Sequence, residues 1–135
     1  MKAKPNNLII GVFLLCVLCL FSGCKKKTTE PDPVVKDPPS FTMEAYTFNL
    51  GGTYYVRFIF DNRTEAVKLS TLTVTSPSSL KYEYTGDGSI LSQYVKTELP
   101  DNFPATIGFW SFKFTGTRAS DNSYFTTTSK IQVTG

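Results

Sequence analysis

The sequence predicts an all-β domain, a sandwich of two sheets built from seven antiparallel strands over residues 41–135. Three observations predict it. Two stretches, "TYYVRFIFD" and "GFWSFKFTGT", alternate apolar and polar residues with the period of a strand. The composition is rich in Thr, Tyr, Phe and Val and shows almost no helical period. Turn signals at Gly51-Gly52, Asp61-Asn62, Pro77, residues 86–88, residues 100–104 and residues 121–123 cut the segment at strand-length intervals.

The elements follow in order. "SFTMEAYTFNL" opens the domain as the first strand. In "TYYVRFIFD", Tyr54, Val56, Phe58 and Phe60 share the face expected on the core, and Tyr55, Arg57 and Ile59 share the other. "VKLSTLTVTS" changes phase, with Val67 and Leu69 odd and Leu72 and Val74 even. A bulge near Ser70 accounts for the switch. "LKYEYT" alternates through Leu80, Tyr82 and Tyr84. "GDG" at 86–88 predicts a tight hairpin turn, because glycine accepts positive φ. "SILSQYVKTEL", residues 89–99, fits a helical pattern through Ile90, Leu91, Tyr94 and Val95, and a strand pattern through Leu91, Val95 and Leu99. Its strand neighbours favour the strand. In "GFWSFKFTGT", Trp110, Phe112 and Phe114 face the core. In "SYFTTTSKIQVTG", Phe125, Ile131 and Val133 share a face with Thr127 and Ser129.

Ahead of the domain, Lys2 and Lys4 precede a run without charge, "LIIGVFLLCVLCLF", at residues 8–21. Fourteen helical residues reach roughly 21 Å. A bilayer core of about 30 Å needs roughly 20 apolar residues. The run therefore fits a secretion signal better than a membrane span. The stretch from Cys24 to Ser40 is charged, Pro-rich and aperiodic, which predicts a disordered, extended linker. The expected organisation is a signal at 1–23, a tether at 24–40 and the sandwich at 41–135.

"FSGC" resembles the lipobox of bacterial lipoproteins, through Ser22, Gly23 and Cys24; Phe21 stands where leucine is commonest. The resemblance implies acylation of Cys24 with diacylglycerol, cleavage before it, and a further acyl chain such as palmitate on the new amine. Several acyl chains hold a protein on a membrane where one does not. Lysines 25–27 and the linker look like lipoproteins of the Bacteroidota type. That likeness implies a lipid-anchored place in the outer membrane, on its periplasmic face or at the cell surface. The stretch "LPDNFPATIGFWSFKF", with Gly108 and Trp110, looks like the corner of immunoglobulin-like (Ig-like) domains. It implies an Ig-like sandwich without the usual cysteine pair, since Cys16 and Cys19 lie in the signal.

The residues exclude much chemistry. The chain has no histidine, so Ser-His-Asp and Cys-His arrangements are excluded, as is imidazole ligation. No metal and no cofactor is expected. Over residues 41–135 eight basic and eight acidic residues balance, so nucleic acid is not an expected partner. Ser78-Ser79-Leu80-Lys81 matches S-x-x-K, and Ser120-Asp121-Asn122 matches S-D-N. The K-T-G that completes the set in serine penicillin-recognising enzymes is missing. Both matches are expected to be turn residues. The eight carboxylates do not cluster, which leaves a carboxylate-based hydrolase as a minor alternative.

The expected function is a non-catalytic, membrane-anchored envelope lipoprotein that binds a protein partner or serves as an accessory subunit. The alternative is a glycan-binding module that uses exposed aromatics. Tyr54, Tyr55, Tyr82 and Tyr84 are the candidate contact residues, because tyrosine combines a large rigid face with a polar tip.

Overall fold

The computed structural model describes residues 35–135. The expected signal, Cys24 and most of the tether lie outside the described residues. The fold is all-β, with nine strand segments: β1 (Phe41–Leu50), β2 (Thr53–Asn62), β3 (Val67–Thr75), β4 (Lys81–Thr85), β5 (Ile90–Leu91), β6 (Thr97–Glu98), β7 (Phe103–Pro104), β8 (Gly108–Arg118) and β9 (Tyr124–Val133). One antiparallel sheet places β2 between β1 on one side and β6 and β7 on the other. The other runs β4-β3-β8-β9, with β5 following β4 along the same side of β3.

The sheets face each other across an aromatic core. Alternation dictates who meets: Val56, Phe58 and Phe60 point in from β2, Leu72 and Val74 from β3, and Trp110, Phe112 and Phe114 from β8. The Phe58 ring lies 4.9 Å from Phe112 and 5.0 Å from Trp110. Phe41 stacks on Phe114 at 4.0 Å. These ring pairs add to the burial that drives the sheets together. Trp110 Nε1 donates to Thr106 O at 3.0 Å, so its one polar atom is satisfied inside the core.

The expected phase switch in β3 is present. Pairing with β8 slips between Leu69 and Thr71, which keeps Val67, Leu69, Leu72 and Val74 all on the inner face. Two glycines make room for the bulge. A Cβ on Gly86 would stand 1.8 Å from Leu69 O, and one on Gly116 would stand 2.2 Å from Lys68 O.

Three expectations are corrected. Residues 89–99 form neither one strand nor a helix. They make the two-residue β5 and β6, joined by a bend in which Tyr94 has φ 64°. The segment crosses from one sheet to the other, so its leucines fall between the sheets while Tyr94 and Val95 stay exposed. That crossing explains why two periods fitted equally. Residues 86–88 are likewise not a hairpin turn, because β4 and β5 both pair with β3 and not with each other. Tyr54 shares the inner phase of β2, yet it lies past the end of the core and is 66% exposed.

The ordered domain also begins before residue 41. Pro39 is fully buried, and Lys36 Nζ meets Asp121 Oδ2 at 2.5 Å. Arg118, only 5% exposed, pairs with Glu65 and donates to the carbonyls of Lys36 and Asp37. Residues 36–40 are thus clamped at the β2–β3 and β8–β9 end. Arg118→Ala would leave two carbonyls unpaired and the mostly covered Glu65 carboxylate with Ser120 Oγ as its remaining donor. Its expected cost is about 2–3 kcal/mol, read as a lowered urea midpoint. Proteolysis around residue 36 should accelerate in the same variant.

Candidate functional site

One side of the sandwich is closed and the other is open. On the closed side β1 and β9 meet, and Ser129 Oγ donates to Phe41 O at 2.8 Å. On the open side β4 and β5 edge one sheet, and the short β6 edges the other. Between them lies a cleft of about 380 Å³. That volume falls within the roughly 300–1,000 Å³ of ligand sites. Phe60, Leu69, Leu72, Leu91 and Leu99 make its floor, and Thr85, Asp87, Ser89, Thr97 and Glu98 its rim.

The bulge in β3 shapes this cleft. Gly86 N donates to Ser70 O at 2.9 Å, which ends β4 and turns the chain past the bulge. Asp87 Oδ1 then accepts from Ser89 N at 2.8 Å, and this turn fixes the carboxylate at the rim. The hydrogen bonds from Ser89 hold the Asp87 carboxyl below its ordinary pKa. Tyr84 leans into the cleft with its hydroxyl donated to Asp101 Oδ2 at 2.7 Å. Burial, and then the Asp101 contact, push the Tyr84 phenol well above the usual tyrosine range. The lining carries two carboxylates and no lysine or arginine. Among the described residues no cation pairs with Asp87, whereas Glu98 pairs with Arg57.

The outer face of the β1–β2 sheet holds the second concentration of functional groups. Tyr46, Phe48 and Tyr55 lie side by side, with Phe48 5.9 Å from Tyr55 and 6.4 Å from Tyr46. The Arg57 guanidinium sits 5.2 Å from the Phe48 ring centre. Tyr46 OH donates to Glu98 Oε1 at 2.7 Å, Arg57 Nη1 donates to the same oxygen at 2.9 Å, and Arg57 Nε donates to Asn102 at 2.9 Å. The Tyr46 hydroxyl, and then Arg57, hold the Glu98 carboxyl below its ordinary value. The stabilisation that follows is present above the unfolded glutamate pKa of about 4.3 and is lost as pH falls through the lower folded value. Glu98→Gln should therefore lower the melting temperature slightly at neutral pH and converge on the wild type in acid, which flattens the acid limb of the profile.

The four candidate tyrosines do not form one row. Tyr54 and Tyr55 point to opposite faces of β2. Tyr55 belongs to the outer aromatic group, opposite Phe48, and Tyr54 stands alone at the hairpin end. Tyr82 and Tyr84 share the inner face of β4 and pack on the core, Tyr82 against Phe103 at 4.9 Å. Only Tyr84 lines the cleft. Cys24, the expected lipidation site, lies outside the described residues. The S-x-x-K and S-D-N matches sit at opposite ends of the same sheet: Ser79, with φ 66°, beyond β3, and Asp121 beyond β8. The carboxylates are dispersed as well, Glu44 pairing with Lys96, Glu65 with Arg118, Glu98 with Arg57 and Asp121 with Lys36.

Asp87 was expected only as one of eight dispersed carboxylates and Leu91 and Leu99 only as strand residues, and no role was expected for Tyr46 and Phe48 outside the cleft. A signal for the outer pair exists, since they share an alternate phase of the first strand. No protein-family model, no curated protein and no solved structure matches the chain.

Proposed function

We propose that this chain is a non-catalytic envelope lipoprotein, anchored through Cys24 in the outer membrane, whose Ig-like sandwich binds a protein partner at its open side. The observation that carries the binding half is the apolar cleft lying between strand edges that pair with nothing among the described residues. Such edges accept added strands unless they are covered. The anchoring half rests on the lipobox resemblance.

Two measurements test the reading. Cys24→Ser should move the chain from the membrane to the soluble fraction, and the wild-type N-terminal peptide should carry acyl mass. A photo-reactive residue in place of Ser89, at the cleft rim, should give one discrete adduct in intact cells. The same residue in place of Thr128, on the outer face of β9, should give none. Equal adducts from both positions, or none from Ser89, would sink the protein-binding reading.

A second reading has its own support. The Tyr46–Phe48–Tyr55 group, flanked by Arg57, Glu98 and Asn102, combines stacking faces with hydrogen-bonding groups, as sugar rings require. Glycan binding there would change intrinsic tyrosine fluorescence on titration with envelope polysaccharides, and Phe48→Ala would abolish the change.

A further inference from the structure

The geometry points to the partner's chemistry: an extended peptide segment that adds as a strand along β4, seats an aliphatic side chain in the cleft, and flanks it with lysine or arginine. This inference rests on the protein-binding reading above and goes further by naming what binds.

Three features carry it. First, β4 pairs only with β3, so its other edge offers unpaired backbone groups among the described residues. A strand laid there would stand about 4.8 Å away, and its alternate side chains would share the inward phase of Tyr82 and Tyr84. Second, that phase leads into the cleft, whose floor is Phe60, Leu69, Leu72, Leu91 and Leu99. An aliphatic side chain seated there would leave water for an apolar floor, which favours binding. Third, the rim is electrostatically one-sided. Asp87 and Glu98 line it, Asp101 stands behind Tyr84, and no basic residue lines the cleft. Arg57 offsets Glu98, but Asp87 is fixed by Ser89 N and meets no cation among the described residues. A basic flank on the ligand complements that rim, and an acidic flank is repelled by it.

The test uses the full chain and a fluorescent pentapeptide, acetyl-Lys-Val-Leu-Val-Lys-amide, read by polarisation. It should bind, and its affinity should fall as salt rises. The same peptide with glutamate in place of both lysines should bind about tenfold or more weakly. Peptides N-methylated on one alternate set of amides should lose binding, while those methylated on the other set keep it, because only alternate amides face an edge strand. Asp87→Lys should weaken the lysine peptide. Ser89→Arg, which leaves the backbone donor to Asp87 in place, should do the same with an unchanged melting temperature.

Equal binding of both charge variants, or tolerance of methylation on both sets, would overturn the inference. If no peptide binds but the Ser89 adduct forms in cells, the protein-binding reading stands and this account of the partner falls. If neither is seen, both fall.

Discussion

Trp110→Ala should lower the unfolding free energy by about 3–5 kcal/mol. Trp110 is fully buried, with its ring centre 5.0 Å from Phe58 and 5.5 Å from Phe103. Truncation would remove the largest side chain of the core and leave space lined by those two phenylalanines. It would also strand the carbonyl of Thr106, which the indole satisfies. A domain of this size holds only about 5–15 kcal/mol in total. No disulfide can compensate among residues 35–135, which contain no cysteine. Urea unfolding followed by far-UV circular dichroism is the measurement, since the variant lacks the tryptophan signal. Trp110→Phe keeps most of the burial and should lose much less, about 1–2 kcal/mol, for the missing hydrogen bond and volume. A loss below about 1 kcal/mol for the alanine variant would mean that the core does not centre on this residue.

Gly86→Ala is the second large effect. Replacing glycine ordinarily stabilises by about 0.4–1 kcal/mol through the unfolded chain. Here a Cβ would collide with Leu69 O at 1.8 Å, and the atom it meets is backbone inside the bulge. The collision wins, with an expected net loss of about 2–4 kcal/mol. For a domain near this size each 1 kcal/mol lowers the melting temperature by roughly 4–8 °C. Gly116→Ala meets Lys68 O at 2.2 Å on the other side of the same bulge and should behave alike. The double variant should lose less than the sum, because one shift of the bulge relieves both contacts. Unchanged melting temperatures would show that the bulge is not held as described.

How much of this was legible in the sequence depends on which force set each element. Strands β2 and β8 were readable because one face of each is buried and the other is not, so alternation survives in the residues. The bulge was readable because a single extra residue inverts the phase between Leu69 and Leu72. Residues 89–99 were not, because a segment crossing between sheets buries side chains at irregular intervals and carries no period. The two-residue β7 was hidden in the same way, by the prolines at 100 and 104, although Phe103 from it is fully buried. The cleft was illegible for a related reason. Its floor draws leucines from three separate segments, and they meet because β5 pairs with β3 while β6 and Leu99 bond to β2 in the facing sheet. Net charge hid its rim as well, since balance over the whole domain masks a local excess of carboxylates.

The measurement that most directly tests a partner strand docking on β4 is amide hydrogen exchange on the full chain, with and without the lysine-flanked pentapeptide. Strand addition predicts slower exchange on binding in peptides that cover Lys81–Thr85 and Ile90–Leu91, with Tyr124–Val133 unchanged. Protection appearing in Tyr124–Val133 or Phe41–Leu50 instead, or none at saturating peptide, would contradict it.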